Sequence, residues 1–243
     1  MRYLLELSYR GTCYNGWQRQ QNAPSIQQKI EESLSTLLGC ETEVVGAGRT
    51  DTGVHAAYYT AHFDFAGKLE DSFVYKFNSI LPSDIAIMRA REVREDFHAR
   101  FDAVRREYRY YIRNRKNPFT RDTEWQYYIE LDIEKMNEAA KMLSAQKDFT
   151  TFSKLHSGNK SNICHIYDSK WSCEGEVMVY TIAADRFLRN MVRSLVASQV
   201  DVGRGKISPE EFGKALLACD RSKAIGSAPA QGLFLSNIRY ETL

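Results

Sequence analysis

The chain has 243 residues, of which 43% are hydrophobic and 26% are charged, a balance typical of a globular protein with one large or two small domains and not of a disordered chain. A formal net charge of +2 does not by itself indicate a polyanionic partner, and no apolar run approaches the ~20 residues of a membrane-spanning helix. The five cysteines are scattered without a Cys-x-x-Cys pair, which favours reduced thiols in the cytoplasm and argues against a zinc site.

In chain order, the first half, residues 1–104, predicts the element order βαββαβ. Residues 3–9 alternate as a half-buried strand, a pattern unlike that of a signal peptide. Ser25 and Gln28 predict a capping box that opens a helix, and Gly39 ends this helix. Further strands are predicted over 43–45, 57–65 and 85–93, with a helix over 71–80.

The second half, residues 105–243, predicts the same order. Strands are predicted over 105–113, 163–173, 177–184 and 233–240, and helices over 132–143, 186–200 and from Ser208 onward, where Pro209 and Glu211 complete a capping box. We therefore predict an α+β fold of two ferredoxin-like (βαββαβ) halves, with mainly antiparallel sheets side by side and a cleft between them in which a ligand binds.

Residues 46–55 form the most chemically loaded stretch of the chain. Three glycines within eight positions surround Arg49, Thr50 and Asp51, and His55 follows. A dinucleotide-binding fingerprint would need glycine at Asp51 and a helix after it, and a P-loop would need Gly-Lys-Ser/Thr at its end, so both are excluded. The pattern indicates a carboxylate beside an arginine, suited to acid/base or nucleophilic catalysis; a solvated connecting loop is the alternative.

Two segments are locally basic. Between Arg100 and Arg121 stand eight lysines and arginines against two acidic residues, interleaved with three tyrosines. Such a segment is typical of a nucleic-acid surface, which neutralises phosphates and stacks bases, although the charged solvent face of a strand would look the same. On the predicted helix over 186–200, a basic stripe is formed by Arg186, Arg189 and Arg193.

Six blocks together resemble the tRNA pseudouridine synthase A family in sequence and order. They are Gly-Trp-Gln at 16–18, Gly-Ala-Gly-Arg-Thr-Asp-Thr-Gly-Val-His-Ala at 46–56, and the segments 97–100, 106–110, 187–193 and 228–233. The blocks span nearly the whole chain, and their combination is specific. The chain departs from the usual family pattern at Thr52, at Gln231, over 197–199 and over 154–165.

The resemblance implies the activity and the residues that carry it. The family isomerises uridine to pseudouridine in the anticodon stem-loop of tRNA, at tRNA positions 38, 39 and 40, as a homodimer without metal or other cofactor. The catalytic residues carried over are Asp51 as the catalytic aspartate, Arg49 as the arginine that extrudes the base, Tyr108 as the active-site tyrosine and Arg193 as the partner of the aspartate. The substrate-binding residues carried over are Tyr108, Arg106, Arg189, Gly232 and Leu233.

The chemistry agrees with this assignment. Isomerisation breaks the N1–C1′ bond and joins C5 to C1′ without redox change, so no cofactor is required, and the base must first leave its stack. Asp51 acts as nucleophile on C1′ or uracil C6, or as the base at C2′; the sequence does not choose. An arginine within ~4–6 Å keeps such a carboxylate ionised, and Tyr108 stacks on uracil or takes the C5 proton.

Two other classes of protein compete with this interpretation. A non-catalytic RNA-binding module built from RRM-like halves would carry a Phe-rich RNP motif, which the sequence lacks. A metal-dependent hydrolase using Asp51 and His55 would need a third ligand nearby.

Overall fold

The computed structural model describes residues 1–154, 161–224 and 226–241. They divide into two compact units, Met1–Arg105 with the chain from Leu235, and Arg106–Phe234. Of the divergent segment 154–165, residues 155–160 lie outside the described residues. Within the three described ranges, no helix is both long and apolar enough to cross a membrane.

The first unit contains a sheet with two helices. Its elements in chain order are β1 (Arg2–Tyr9), α1 (Ile26–Leu38), β2 (Val45–Gly46), β3 (His55–Asp64), α2 (Phe73–Ile80) and β4 (Ile85–Val93). Strand β1 lies between β3 and β4 and is antiparallel to both, with Leu5 opposite Ala61 on one side and Ala90 on the other. Strand β2 pairs antiparallel with β3. The predicted order of elements in residues 1–104 is therefore observed.

Helix α1 begins and ends as its sequence predicts, with one correction. Ser25 caps it by accepting a hydrogen bond from the Gln28 amide at 3.3 Å, and Gly39 ends it in the left-handed region at φ 69°. The Gln28 side chain donates to Glu32 Oε1 at 2.8 Å, because an acceptor one turn later competes for it. The capping hydrogen bond of Ser25 is confirmed, but Gln28 does not complete a capping box.

The second unit combines three antiparallel strands with three helices among its described residues. Its elements are β5 (Ala103–Arg113, which starts at the end of the first unit), β6 (Trp125–Gln126), α3 (Ile133–Met142), β7 (Ile166–Glu174), β8 (Val177–Ala184), α4 (Met191–Gly203) and α5 (Pro209–Leu217). The closing strand β9 (Leu233–Tyr240) begins in this unit, and its residues from Leu235 onward belong to the first unit. Strand β8 pairs with β5 and β7, and β6 lies parallel to the end of β5. Ser208 and Glu211 form the predicted capping box of α5. An α+β fold with mostly antiparallel strands is confirmed.

The basic stripe predicted on one helix is wrong. Helix α4 begins at Met191, because Asn190 adopts the left-handed region at φ 64° and interrupts any helix before it. Arg186 and Arg189 precede this residue and so do not share a helical face with Arg193. The second strand was also predicted too early, since β2 covers only Val45–Gly46.

Residues 197–199, which depart from the family pattern, include a buried polar centre. Gln199 is fully buried; its Oε1 accepts from Trp171 Nε1 at 2.5 Å and its Nε2 donates to the Tyr180 hydroxyl at 3.2 Å. Trp171 and Tyr180 are opposite each other on β7 and β8, and their rings stack at 4.8 Å. Gln199 thus joins α4 to a cross-strand pair.

Candidate active site

Residues 46–55, which we name the Asp51 loop, connect β2 to β3 in the first unit. The Val54 amide donates to the Asp51 carbonyl at 3.1 Å and closes a tight turn, in which Gly53 takes a φ of 76° that side-chained residues resist. Asp51 is half-buried, and Arg49 is exposed. The loop therefore presents a carboxylate from a closed turn with a cation two residues before it.

Residues 10–17, which we name the bracing segment, run from β1 towards α1 and hold the Asp51 loop in place. Its Gly11 amide donates to Nδ1 of the buried His55 at 3.0 Å, so the proton of a neutral imidazole is on Nε2. The carbonyl of Tyr14 accepts from the Gly53 amide at 3.2 Å. Two residues that follow Asp51 in the loop, Gly53 and His55, are thus hydrogen-bonded to this segment.

Glycine is required where the two segments meet. A Cβ atom on Gly11 would lie 2.0 Å from the Val54 carbonyl oxygen, and one on Gly16 would lie 2.2 Å from that of Thr50. Both obstacles are backbone atoms, which cannot rotate away. The close approach of the bracing segment to the Asp51 loop therefore depends on these two glycines.

Aromatic side chains support the loop from the core. Trp17 and Tyr59 stack at 4.1 Å, both buried, and the Tyr59 hydroxyl donates to the Gly48 carbonyl at 2.5 Å. A Cβ on Gly46 would lie 2.3 Å from that hydroxyl, so glycine at position 46 allows this packing. The first part of the loop thus lies against a rigid aromatic pair.

Tyr14 anchors the bracing segment to the start of β4. Its hydroxyl donates to Asp84 Oδ1 at 2.6 Å, and the Arg10 amide donates to the Asp84 carbonyl at 2.8 Å. Burial and the neighbouring Asp84 carboxylate raise the pKa of Tyr14. The phenol therefore remains a hydrogen-bond donor through the neutral range.

In the second unit, Arg193 is fastened to the segment before β9. Its Nε donates to the Ala228 carbonyl at 2.7 Å, and the Ala228 amide donates back to the Arg193 carbonyl at 3.0 Å. One turn earlier, Asn190 Nδ2 donates to Ser227 Oγ at 2.6 Å. Arg193 is half-buried, and these contacts set the direction in which its guanidinium leaves α4.

Tyr110 of β5 holds the rest of the same segment. Its hydroxyl donates to the Pro229 carbonyl at 2.7 Å, and a Cβ on Gly232 would lie 2.7 Å from Tyr110 Cζ. Burial raises the pKa of Tyr110 well above its usual value, and the charge of Arg193 opposes that shift only in part. Gly232 and the buried Leu233 therefore take part in packing within this unit.

The other predicted site residues of the second unit, Tyr108, Arg106 and Arg189, range from buried to exposed. Tyr108 is buried with its ring edge-on to Phe187 at 5.1 Å. Arg106 is half-buried and donates from Nη1 to the Asp185 carbonyl at 2.8 Å, whereas Arg189 is exposed. Within this unit Arg193 and Gly232 both lie along the segment before β9, Arg193 bonded to Ala228 and Gly232 packed against Tyr110.

The basic segment ending at Arg121 is less positively charged than its sequence indicates. Arg113 pairs with Glu124 at 2.6 Å between side chains that are both mostly buried, Arg115 pairs with Glu176 and Arg109 lies 3.7 Å from Glu174. These acids come later in the chain, so a local count of charges misses them. Nucleic-acid binding by this whole segment stays a prediction.

Sequence reasoning missed the residues that position the Asp51 loop, namely Tyr9, Tyr14, Thr50 and Tyr59. A signal existed, because a buried tyrosine usually needs a partner for its hydroxyl, but the sequence does not identify that partner. Among the described residues, no group of three or more His, Cys, Asp or Glu side chains lies together as a metal site would require.

Known proteins are similar to this chain over nearly its whole length. A family model described as tRNA pseudouridine synthase matches residues 7–102 and 139–241. Curated proteins named tRNA pseudouridine synthase A are similar over 98% of this chain: that of Bacteroides thetaiotaomicron is 50% identical and covered over 90% of its length, that of Bacteroides fragilis is 49% identical and covered over 96%, and that of Parabacteroides distasonis is 45% identical and covered over 96%.

Proposed function

Because this chain belongs to the tRNA pseudouridine synthase family and is an isomerase of uridine in tRNA, we propose that Asp51 is its catalytic carboxylate. The observation that carries the proposal is the Asp51 loop itself. Its turn is closed by the Val54–Asp51 hydrogen bond at 3.1 Å and tied to Tyr14 through Gly53 at 3.2 Å. A carboxylate on so constrained a turn is held ready for one geometry, which is what a nucleophile or general base needs.

The reaction requires one group that forms a bond or moves a proton at the sugar or the base. As nucleophile, Asp51 attacks C1′ and displaces uracil at N1, or adds to uracil C6; as base, it removes the C2′ proton. In each case uracil rotates, C5 bonds to C1′, the C5 proton leaves and N1 gains a proton. The bond that Asp51 formed to C1′ or C6 breaks again, or, in the base route, C2′ regains its proton. Atoms and charge balance without an external oxidant or reductant.

Arg49, Tyr108 and Arg193 complete the proposed catalytic set. Arg49 is exposed on the Asp51 loop, where a long cation can enter the space left by an extruded base. Tyr108 offers a ring for stacking on uracil and a hydroxyl for the C5 proton. Arg193 is the cationic partner that the family pattern assigns to the aspartate, and its fixed bond to Ala228 at 2.7 Å supports a role that needs a defined direction.

The proposed substrate-binding residues act differently from one another. Arg189 is exposed and Arg106 half-buried, so both are proposed to neutralise phosphates of the RNA backbone. Tyr108 binds the base. Gly232 and Leu233 are proposed to act through their backbone, since their side-chain positions are taken up by packing against Tyr110 and by burial.

The finer features of the family are part of the same proposal. We propose that the substrate is the anticodon stem-loop of tRNA, at tRNA positions 38, 39 and 40, and that the enzyme works as a homodimer in the cytoplasm. Residues 1–104 are proposed as a ferredoxin-like half carrying the Asp51 loop, a view that the β4–β1–β3 order with β2 on β3 supports. Residues 105–243 are proposed as the half that completes the active site and the RNA-binding surface, with Tyr108, Arg106, Arg189 and Arg193.

The test is Asp51→Asn, which keeps the shape but removes the nucleophile and base. We expect turnover, measured as tritium release from tRNA carrying [5-³H]uridine, to fall at least about 1,000-fold. The Kd for tRNA should stay within a few-fold, because phosphate contacts elsewhere carry the affinity. Asp64→Asn is a matched control: its carboxylate is on the same unit but pairs with Arg2. Substantial turnover by Asp51→Asn would contradict the assignment.

A further inference from the structure

We propose that Thr50 is a positioning residue for Asp51, acting through hydrogen bonds to the Tyr9 hydroxyl and the Trp17 amide. Thr50 Oγ1 lies 2.9 Å from the Tyr9 hydroxyl and accepts from the Trp17 amide at 3.1 Å. The inference rests on the proposed function of Asp51 and goes beyond it, because it names what fixes the direction of that carboxylate.

The Thr50 hydroxyl makes two hydrogen bonds in a buried environment. Thr50 is 9% exposed, Tyr9 4% and Trp17 2%, so water does not replace a partner that is lost. A hydroxyl offers one donor and two acceptor sites; the Trp17 amide uses one acceptor site, and the contact with Tyr9 can be donated by either hydroxyl. One bond comes from Tyr9, the last residue of β1, and the other from Trp17, the last residue of the bracing segment.

The main chain of Thr50 is restrained as well. Its carbonyl oxygen is the atom that a Cβ on Gly16 would approach to 2.2 Å, so the bracing segment packs directly against the peptide that links Thr50 to Asp51. With the side chain bonded on one side and the carbonyl packed on the other, the backbone that enters Asp51 has little freedom. The position of the Asp51 carboxylate follows from that of Thr50.

The loop needs this restraint at Thr50, which lies between the end of the β2–β3 pairing and the start of β3. The β2–β3 pairs are Val45 with His62 and Gly46 with Ala61, so the ladder ends before Thr50, and β3 begins only at His55. Between these points, the backbone is held by the side-chain hydrogen bonds of Thr50 together with the Val54–Asp51 and Gly53–Tyr14 backbone hydrogen bonds. A displacement of about 1 Å in a catalytic group is enough to cost roughly 100-fold in rate.

The experiment compares Thr50→Val, which is nearly isosteric but lacks the hydroxyl, with Thr50→Ser, which keeps it. We expect Thr50→Val to lower kcat about 10- to 100-fold with KM and the Kd for tRNA within about 3-fold, and Thr50→Ser to restore most of the rate. Tyr9→Phe removes one of the two bonds and should lower kcat by roughly 5- to 10-fold. Single-turnover tritium release on folded protein, with the melting temperature recorded in parallel, separates rate from stability.

Tyr3→Phe is the matched control. Tyr3 is also on β1 and is buried to 3% exposure, but its hydroxyl donates to the Gly67 carbonyl at 3.0 Å, away from the Asp51 loop. Tyr3→Phe should be destabilised about as much as Tyr9→Phe and should keep the wild-type kcat. If Tyr9→Phe and Tyr3→Phe turn over equally fast, the hydroxyl at position 9 only stabilises the fold and the proposal is overturned.

The two proposals fail in different ways. Turnover by Asp51→Asn would remove the catalytic assignment whatever Thr50 does. An inactive Asp51→Asn together with wild-type kcat in Thr50→Val would leave the assignment intact and overturn only the positioning role. Equal losses of kcat in Thr50→Val and Thr50→Ser would assign the effect to side-chain volume and would also overturn it. Should Thr50→Val not fold, Tyr9→Phe tests the same hydrogen bond with Thr50 in place.

Discussion

Thr50 and Gln199 are both buried polar side chains that hydrogen-bond to aromatic residues, yet the chain around them differs. Thr50 ties the Asp51 loop to Tyr9 at the end of β1 and to Trp17 of the bracing segment, and its own backbone lies outside the β2–β3 pairs. Gln199 lies inside α4 and bonds to Trp171 and Tyr180, which already face each other across the β7–β8 ladder. We therefore expect the buried Thr50 hydroxyl to set the geometry of the Asp51 loop. We expect the buried Gln199 amide, which joins a helix to two paired strands, to contribute mainly to the stability of the fold.

The largest effect should come from Gly16→Ala, which forces apart the two segments joined by Thr50. The new Cβ would stand 2.2 Å from the Thr50 carbonyl oxygen at a φ of 84°, so the backbone of the Asp51 loop must move. We expect kcat to fall by more than about 100-fold and the free energy of unfolding to fall by about 3 kcal/mol or more. Urea unfolding and tritium release measure both quantities.

Gly39→Ala is the control that separates the steric clash with the Thr50 carbonyl from the cost of a positive φ. Gly39 also has a positive φ, 69°, but nothing lies within 4 Å of its Cβ position. In the Gly39→Ala variant, the left-handed backbone alone should lower the free energy of unfolding by about 1–2 kcal/mol, and kcat should stay at the wild-type value. A Gly16→Ala enzyme with normal turnover would contradict the view that the bracing segment sets the geometry at Asp51.

The next effect is that of Gln199→Leu, which removes the other polar centre. It leaves the buried Trp171 Nε1 and the Tyr180 hydroxyl without this partner, and a buried group that loses its hydrogen bond costs about 1–3 kcal/mol. We expect the melting temperature to fall by roughly 4–10 °C, with kcat of the folded enzyme within about 2-fold of wild type. Calorimetry and tritium release at a temperature well below the transition check the two parts.

Gln28→Leu provides the control for Gln199→Leu. Gln28 also bonds through its side chain, but to Glu32 on the surface of α1, so its loss should change stability by no more than about 0.5 kcal/mol. A drop in kcat for Gln199→Leu equal to that of Thr50→Val would break the comparison, because it would show that the core of the second unit also controls turnover.

The sequence predicted regular elements better than the contacts that position the candidate site. Alternation and caps are local, so β1, α1 and α5 were placed correctly, and the Asp51 loop was recognised from its glycines and charges. The start of α4 was missed because the left-handed Asn190 has no apolar signal. The Thr50 contacts were missed because they join residues 33 and 41 positions apart, and periodicity carries no information at that range.

The same limit explains the charges of the basic segment. Arg113 appeared as one cation among many, but its partners Glu124 and Glu176 lie outside the window in which charges were counted. Conversely, the resemblance to the family predicts the roles of Asp51 and Arg193 without any geometry, and those roles stay predictions. Local physics therefore predicted what each segment forms, the resemblance predicted what it does, and only the structure gave the residues that hold it in place.

The smallest effect concerns His62, a buried polar group near the far end of β3 from the Asp51 loop. Its Nδ1 accepts from the Ala99 amide at 3.1 Å, which requires the neutral ring. Burial, with Arg2 and His98 nearby, lowers the pKa of His62 to about 4, although Asp64 and Asp102 oppose the shift. Since the unfolded chain takes up this proton near pH 6.5, the stabilisation is complete above that pH and is lost as the pH falls towards 4.

Between pH 7 and pH 5 we expect His62 to account for a loss of about 1–2 kcal/mol in unfolding free energy. Urea titrations of wild type and His62→Gln at both pH values measure this difference; parallel losses in the two proteins would assign the acid sensitivity to other groups.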